Sequence, residues 1–433
     1  MPLLQIRSTL MSPFPPLAAL PPQVAIHTMS AGSVALILSA LLAIQPITTD
    51  LYLPALPALT EGFGASVSQA QLTLSALLLA FGLSQLIWGP LSDRFGRRPI
   101  LLLGLASYTV AAIGSAFASS MELLIVWRIL QGAAMGAGVM GARAIIRDLY
   151  TPADGARVMS KALSGLGVVA CLSAPLGGLI SDLFSWRYAL LLLAVFGAAS
   201  LALIIWRFEE TVRQKNRRAL EFGTLSKTWL AIARNPTFIA YSALSAASYC
   251  GLFTYLASSS FVLIKVLGFS KTQYGLLMFS VSFSYMLGTF LCRRILPRFG
   301  VRRSVAIASG LTLTSGTAIG VFALAGWSSG AHGGWFIVPP FCLFMLAHGV
   351  HQPCGQSGAV GPFPFAAGAA SALNGFMMML AAFAMGGWLG THLDGTVLPL
   401  TLGIWFWSGL IALVGWTLVQ KHGEPGHVAS STR

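Results

Sequence analysis

Residues 89–98 read GPLSDRFGRR, and residues 298–303 read RFGVRR. Each stretch closes a long apolar run, and each Arg-Phe-Gly is trailed by paired arginines, Arg97-Arg98 and Arg302-Arg303. Working outward from these two points, apolar runs recur at about 33–57, 69–91, 99–119, 122–146, 158–181, 186–207, 237–262, 272–295, 303–325, 334–357, 366–390 and 398–420. Each is long enough for the roughly 20 residues of helix that cross a bilayer. None has the short, alternating pattern of a barrel strand. The first Arg-Phe-Gly follows run 2 and the second follows run 8. The same signal at the same place in each set of six points to two related halves, the repeat architecture of many secondary transporters.

Composition agrees. Of 433 residues, 56% are hydrophobic and 9% charged, against about a quarter charged in a soluble domain, so a water-soluble fold is excluded. Disorder is excluded as well, since it needs low hydrophobicity and high charge. The net charge of +14 would suggest nucleic acid in a soluble chain. Here the basic residues lie between apolar runs and sort by side, so they orient the chain in a membrane. With the amino terminus inside, 22 Lys and Arg fall in inner segments and three, Arg187, Lys265 and Lys271, in outer loops. Both termini are therefore expected in the cytoplasm. The expected layout is a disordered leader at 1–30, a six-helix bundle at 31–208, a cytoplasmic linker at 209–236 with a basic run at 213–218, a second bundle at 237–421 and a tail at 422–433. Prolines in the leader argue against a secretory signal, and Met29 is an alternative start of translation. The five cysteines show neither metal-ligand spacing nor a disulfide framework.

Two charges stand out inside the spans. Asp50 is the only carboxylate well within one, and Arg128 the only arginine. A charge there costs roughly 3 kcal/mol or more and usually marks an ion or substrate path. Counted along the helices, both lie ~10 Å below the same surface, so an ion pair between runs 1 and 4 is expected, able to switch with proton binding. A static pair orienting the two spans is the structural alternative. Gln131 is one turn from Arg128 and faces the guanidinium or a substrate. Within 89–98, Gly89 and Pro90 suit a helix exit, and Asp93 can meet a neighbouring helix amino end or the arginines. A gate and a plain topology signal both fit. Ala174-Pro175-Leu176-Gly177-Gly178 in run 5 reads as a hinge or as a static kink. In the second half, Tyr249 and Phe253 share a helix face, and they and Asn374 are candidates for a cavity that takes an amphipathic ligand; packing is the alternative. His348 and His351 are one turn apart. They suit a proton relay or a hydrogen-bonded structural pair, and with no third ligand a metal site is not expected.

These motifs resemble the major facilitator superfamily, in its twelve-span drug:proton antiporter branch. GPLSDRFGRRP at 89–99, RILQG at 128–132 and APLGG at 174–178 are similar to its signatures, with Ala174 where glycine is more usual. TTDLYLPALP at 48–57, RDLY at 147–150 and AAGAASALNG at 366–375 resemble the bicyclomycin/chloramphenicol-resistance (Bcr/CflA-type) efflux proteins. The resemblance implies an all-α membrane protein of twelve transmembrane helices in two pseudo-symmetric six-helix bundles. It implies a bacterial inner membrane and export of small drugs in exchange for protons; a monomer with no cofactor, metal or nucleic-acid partner is expected. It makes Asp50 and Arg128 the coupling pair and places Gly89, Asp93, Arg94, Gly96, Arg97 and Arg98 in a gate. Pro175, Gly177 and Gly178 become the leak-restricting bend. A symporter of the same fold is the near alternative. A membrane enzyme is the distant one, and it would need clustered acid, base or nucleophile groups. No phosphate-cradling loop of the GxxxxGK[ST] kind occurs.

Overall fold

The computed structural model describes residues 29–212, 215, 220–330 and 332–423. Most of the expected leader, most of the basic run at 213–218 and the last ten residues lie outside the described residues.

Fourteen α-helices are found among the described residues: α1 (Ala31–Asp50), α2 (Leu56–Gly62), α3 (Val67–Phe95), α4 (Arg97–Ala116), α5 (Met121–Leu149), α6 (Pro152–Leu183), α7 (Trp186–Arg207), α8 (Phe222–Ala233), α9 (Pro236–Ser260), α10 (Lys271–Leu324), α11 (Gly334–Val360), α12 (Ala367–His392), α13 (Leu398–Trp416) and α14 (Leu418–His422). Among the described residues, eleven helical passages are long and apolar enough to cross a membrane. One of them, α10, has 54 residues, about 80 Å of helix against a ~30 Å hydrocarbon core. It breaks at Gly300, whose φ of 71° and ψ of 175° are not helical, so α10 makes two passages and the total is twelve.

The Arg-Phe-Gly repeat has a physical cause. Gly96, between α3 and α4, has φ 112°, and Gly300 has φ 71°; both lie in the region that a Cβ disfavours. The repeat also extends further than three residues. Ser66 and Gln69 form a capping box at the start of α3, and Ser270 and Gln273 form one at the start of α10. Each box opens its helix 30 residues before the turning glycine. Reciprocal capping satisfies two orphan donors at each helix start.

One boundary differs from expectation. The first passage is not one helix to residue 57. α1 ends at Asp50, a short 3-10 turn covers Leu53–Ala55, and α2 follows. Pro54 and Pro57 each remove a backbone donor at this point. Asp50 is thus the last residue of α1, inside a passage that continues to Gly62. Conversely, Gly89 and Pro90 do not end a helix: α3 runs through both to Phe95.

α3 packs against α5 and α12, and α6 packs against α1 and α10. The first six passages therefore meet the last six along two seams, α3–α12 and α6–α10. Asp93, Arg97 and Arg147 lie at one end of the bundle, here the basic end. Glu61 and Asp182 lie at the far end, with Lys265 and Lys271.

Candidate functional site

Asp50 is 9% exposed. One of its oxygens accepts a hydrogen bond from the Thr49 hydroxyl at 2.7 Å. The turn that follows it, Leu53–Ala55, packs against α6, α9 and α10, which places the carboxyl group near the seam with the second half.

Arg128 is fully buried on α5. Its guanidinium donates to Gln131 Oε1 at 2.8 Å and to the Thr48 carbonyl at 3.1 Å. It also sits 4.2 Å above the centre of the Tyr52 ring. Thr48 and Tyr52 are themselves anchored: the Thr48 and Tyr108 hydroxyls are 2.6 Å apart, and those of Tyr52 and Thr73 are 2.5 Å apart. The Gln131 contact is as expected. The direct Asp50–Arg128 ion pair is not formed, and Asp50 has no cation within ion-pair distance among the described residues. Helical geometry explains this. Thr48 and Tyr52 are four positions apart and near one face, whereas Asp50, two positions from each, projects to the opposite side. The guanidinium of α5 meets the turn of chain that carries the acid, but the acid projects in a different direction.

At the basic end, Arg97 is 4% exposed and meets Asp93 at 2.6 Å, Asp148 at 2.8 Å and the Ser92 hydroxyl at 2.5 Å. Arg147 approaches Asp93 at 3.7 Å. Glu210, beyond α7, accepts from the backbone N–H groups of Arg97 and Arg98 at 2.9 and 3.1 Å, a carboxylate cap on α4 that complements its dipole. Gly96 leaves room for it, since a Cβ there would collide with the Glu210 carboxylate. Arg94 and Arg98 stay out of the acid cluster: Arg94 lies over Phe95, and Arg98 donates to the Ile205 carbonyl at 3.0 Å. Gly89 meets nothing closer than Met140, 3.7 Å from a would-be Cβ, so close packing does not require a glycine there. Arg143 of α5 reaches across to the Ser371 hydroxyl of α12 at 2.7 Å.

Pro175 leaves the Cys171 carbonyl without its helical donor. Gly177 lies against the Leu51 carbonyl, one residue after Asp50, and Gly178 lies against the Lys271 carbonyl of α10. From the other side, a Cβ on Gly275 would sit 2.7 Å from the Ala174 carbonyl. At Gly177 and Gly178, α6 therefore comes into close contact with the backbone of the turn after Asp50 and of α10. At the far end Lys265 pairs with Glu61. Asp182 receives the Thr272 N–H at 2.7 Å and hydroxyl at 2.6 Å, while Lys271 donates to the Ser181 carbonyl at 2.9 Å.

In the second half, the Tyr249 hydroxyl accepts from Gln45 of α1 at 3.4 Å, which sets it beside the acid's helix. Phe253, expected on the same wall, is fully buried. It packs beside Gly386 of α12, where a Cβ would come 3.3 Å from its ring and 2.6 Å from the Cβ of Ser75. Asn374 is buried, with its amide nitrogen 3.8 Å from the Met378 sulfur and its oxygen unpartnered. Where Arg128 lies over Tyr52 in the first half, Phe341 of α11 stacks on Tyr255 of α9 at 3.9 Å in the second. The same kind of aromatic seat holds a cation in one half and a ring in the other. Asp148, Glu210, Tyr52 and Gln45 were not foreseen. Asp148 had a signal, its place beside Arg147 in RDLY; Glu210 had none, being more than a hundred residues from the helix end it caps.

The family model described as Major Facilitator Superfamily matches residues 38–387. The chain is 29% identical over 344 residues to "Multidrug resistance protein D" of Escherichia coli, covering 78% of this chain and 84% of that protein. It is 26% identical over 358 residues to "Bicyclomycin resistance protein homolog" of Haemophilus influenzae, covering 82% and 88%. In three dimensions it is similar to the xylose transporter XylE from E. coli, solved in a partially occluded inward open conformation. That match has a TM-score of 0.71 at 15% identity, covering 91% of this chain and 98% of that one, a likeness of fold alone.

Proposed function

The chain belongs to the major facilitator superfamily, and on that premise we propose that it is a proton-coupled exporter of small amphipathic drugs, a transporter rather than an enzyme, working as a monomer in a bacterial inner membrane. One observation carries the reading. Asp50, among the described residues the carboxylate farthest from either end of its passage, lies near the seam between the first six passages and the last six, with no cation paired to it among those residues. A carboxylate so placed is stable when it holds a proton or a cationic group and costly when bare. Loading and unloading a proton therefore changes the energy of any state that exposes or seals it.

In this mechanism the compound enters from the cytoplasm and lies between the halves. Rocking along α3–α12 and α6–α10 opens the far end, the compound leaves, and Asp50 takes a proton from outside. The return movement releases that proton inward. Arg128 is a fixed charge beside the coupling turn, and Gln131 orients it. Asp93, Arg97 and Asp148, with Glu210, hold the cytoplasmic end in one state. Pro175, Gly177 and Gly178 let α6 slide against Leu51 without a leak path. The names of the two relatives, with the sequence signatures, support drugs over sugars as the cargo.

The test is flux in proteoliposomes under an imposed pH gradient. Asp50→Asn, which keeps shape and hydrogen bonding, is expected to lower gradient-driven export by about tenfold or more, with an unchanged elution profile. Undiminished, pH-coupled export by that variant would remove Asp50 from the mechanism.

A further inference from the structure

His348 of α11 has no place in the mechanism so far. It is 3% exposed. Its Nδ1 lies 2.7 Å from the Ser248 hydroxyl of α9, which holds the orientation of the ring; the hydroxyl can donate to Nδ1 or accept from it. Its Nε2 has no hydrogen-bond partner among the described residues, yet it is not fully sealed from the surroundings. The small exposed part of the ring is therefore the polar edge opposite Ser248.

The neighbours show what that edge faces. Tyr285 of α10 packs with its ring centre 5.6 Å from the imidazole. The lipid-facing stripe of this helix is Leu276, Phe279, Phe283, Leu287 and Phe290, each at least 40% exposed. Tyr285, two positions from both Phe283 and Leu287, points the other way, and it is still half-buried rather than buried. Its exposed surface opens into the interior of the bundle. Ser248, which holds the imidazole, is followed by Tyr249, whose hydroxyl accepts from Gln45 of α1. His348 thus lies at the level of α9 that Gln45 meets, about 7.5 Å along α1 from Asp50. A buried hydrogen-bonding atom left unpaired is unfavourable, and one fixed in direction at an open interior is how a mostly apolar site selects its ligand.

We propose that His348, oriented by Ser248 and flanked by Tyr285, is a specificity-determining residue that hydrogen-bonds an uncharged hydroxyl or amide group of the transported compound. The inference rests on the drug-export reading and deepens it: the first half supplies proton coupling, and the second half supplies recognition of neutral polar groups. A site built to hydrogen-bond a substrate group rejects analogues that lack it far more strongly than an apolar pocket does.

Two isosteres separate recognition from structure. In His348→Gln the amide reaches the position of Nε2, while in His348→Asn it reaches only that of Nδ1. Efflux from proteoliposomes is followed for chloramphenicol, which carries hydroxyls and an amide, and for tetraphenylphosphonium, which has no hydrogen-bonding group. The expectation is that His348→Asn lowers chloramphenicol export about tenfold, His348→Gln restores it to within about threefold, and tetraphenylphosphonium export changes less than twofold in either. In parallel, His348→Cys is treated with a water-soluble methanethiosulfonate and read by peptide mass spectrometry. Labelling that chloramphenicol slows is expected. Failure of the introduced thiol to label, equal losses for both probes, or better rescue by Asn than by Gln would overturn the inference while leaving drug export standing. A wild-type protein that moves neither probe would reject the drug-export reading, and this inference with it.

Discussion

Arg128 is a full positive charge inside a helix bundle, with no carboxylate on it among the described residues. Two hydrogen bonds, to the Thr48 carbonyl and to Gln131, and the face of Tyr52 hold it there. A desolvated cation–π contact is worth about 2 kcal/mol, so Tyr52 is a large part of that support. Tyr52→Leu is expected to lower the melting temperature of the detergent-solubilised protein by several degrees, an effect of about 2 kcal/mol. Tyr52→Phe keeps the ring and loses only the Thr73 hydrogen bond, so its fall should be about half or less. Equal melting temperatures for Leu and wild type would show that the guanidinium is held without the ring. That Asp50 and Arg128 matter was legible from sequence, because charges are scarce in apolar runs. That they do not touch was not legible, because depth counts residues along an axis and says nothing about azimuth around it.

At the scale of elements, the contacts that close the far end come from an unusual place. Lys and Arg are almost absent from that end of the sequence, and two of the three present, Lys265 and Lys271, reach from the second half to carboxylates of the first. Asp182 also caps the start of α10 across the seam. We expect these contacts to break when the far end opens. An exposed ion pair contributes about 0–1 kcal/mol, which is up to about a fivefold shift between two states. Glu61→Lys should therefore raise the thiol-labelling rate of a cysteine placed at Gln71 by up to about fivefold. Glu61→Lys with Lys265→Glu should return it to the wild-type value, and 1 M salt should remove the difference between them by screening. Labelling indifferent to the swap would exclude the latch. Sequence showed the two lysines as exceptions to an orientation rule and offered nothing about their partners, which lie about 90 and 200 positions away. The turning glycines were legible in part. Arg-Phe-Gly was visible twice, while the Ser-x-x-Gln boxes that open the same helices passed unread although their signal is local.

For the whole molecule, charge asymmetry predicts orientation. A cysteine at Ser329, on the far end between α10 and α11, should react with a membrane-impermeant maleimide in intact cells, and one at Lys421 only after permeabilisation, with at least about tenfold contrast in each case. The reverse pattern would invert the mechanism, since protons would then drive uptake. Twelve passages, their order and their sidedness are one-dimensional properties: a run of apolar residues must leave water wherever it lies, and a flanking arginine resists crossing regardless of its neighbours. The amino-acid sequence by itself therefore determined the number of passages and the turning glycines, and it singled out the charged residues. Only the tertiary structure decided which way Asp50 faces, that Arg128 rests on Tyr52 rather than on the acid, that Phe253 is sealed behind Gly386, and that Glu210 caps α4. Those outcomes depend on the rotation of each helix about its axis and on contacts between residues far apart in the chain, and side-chain packing across the seams fixes both.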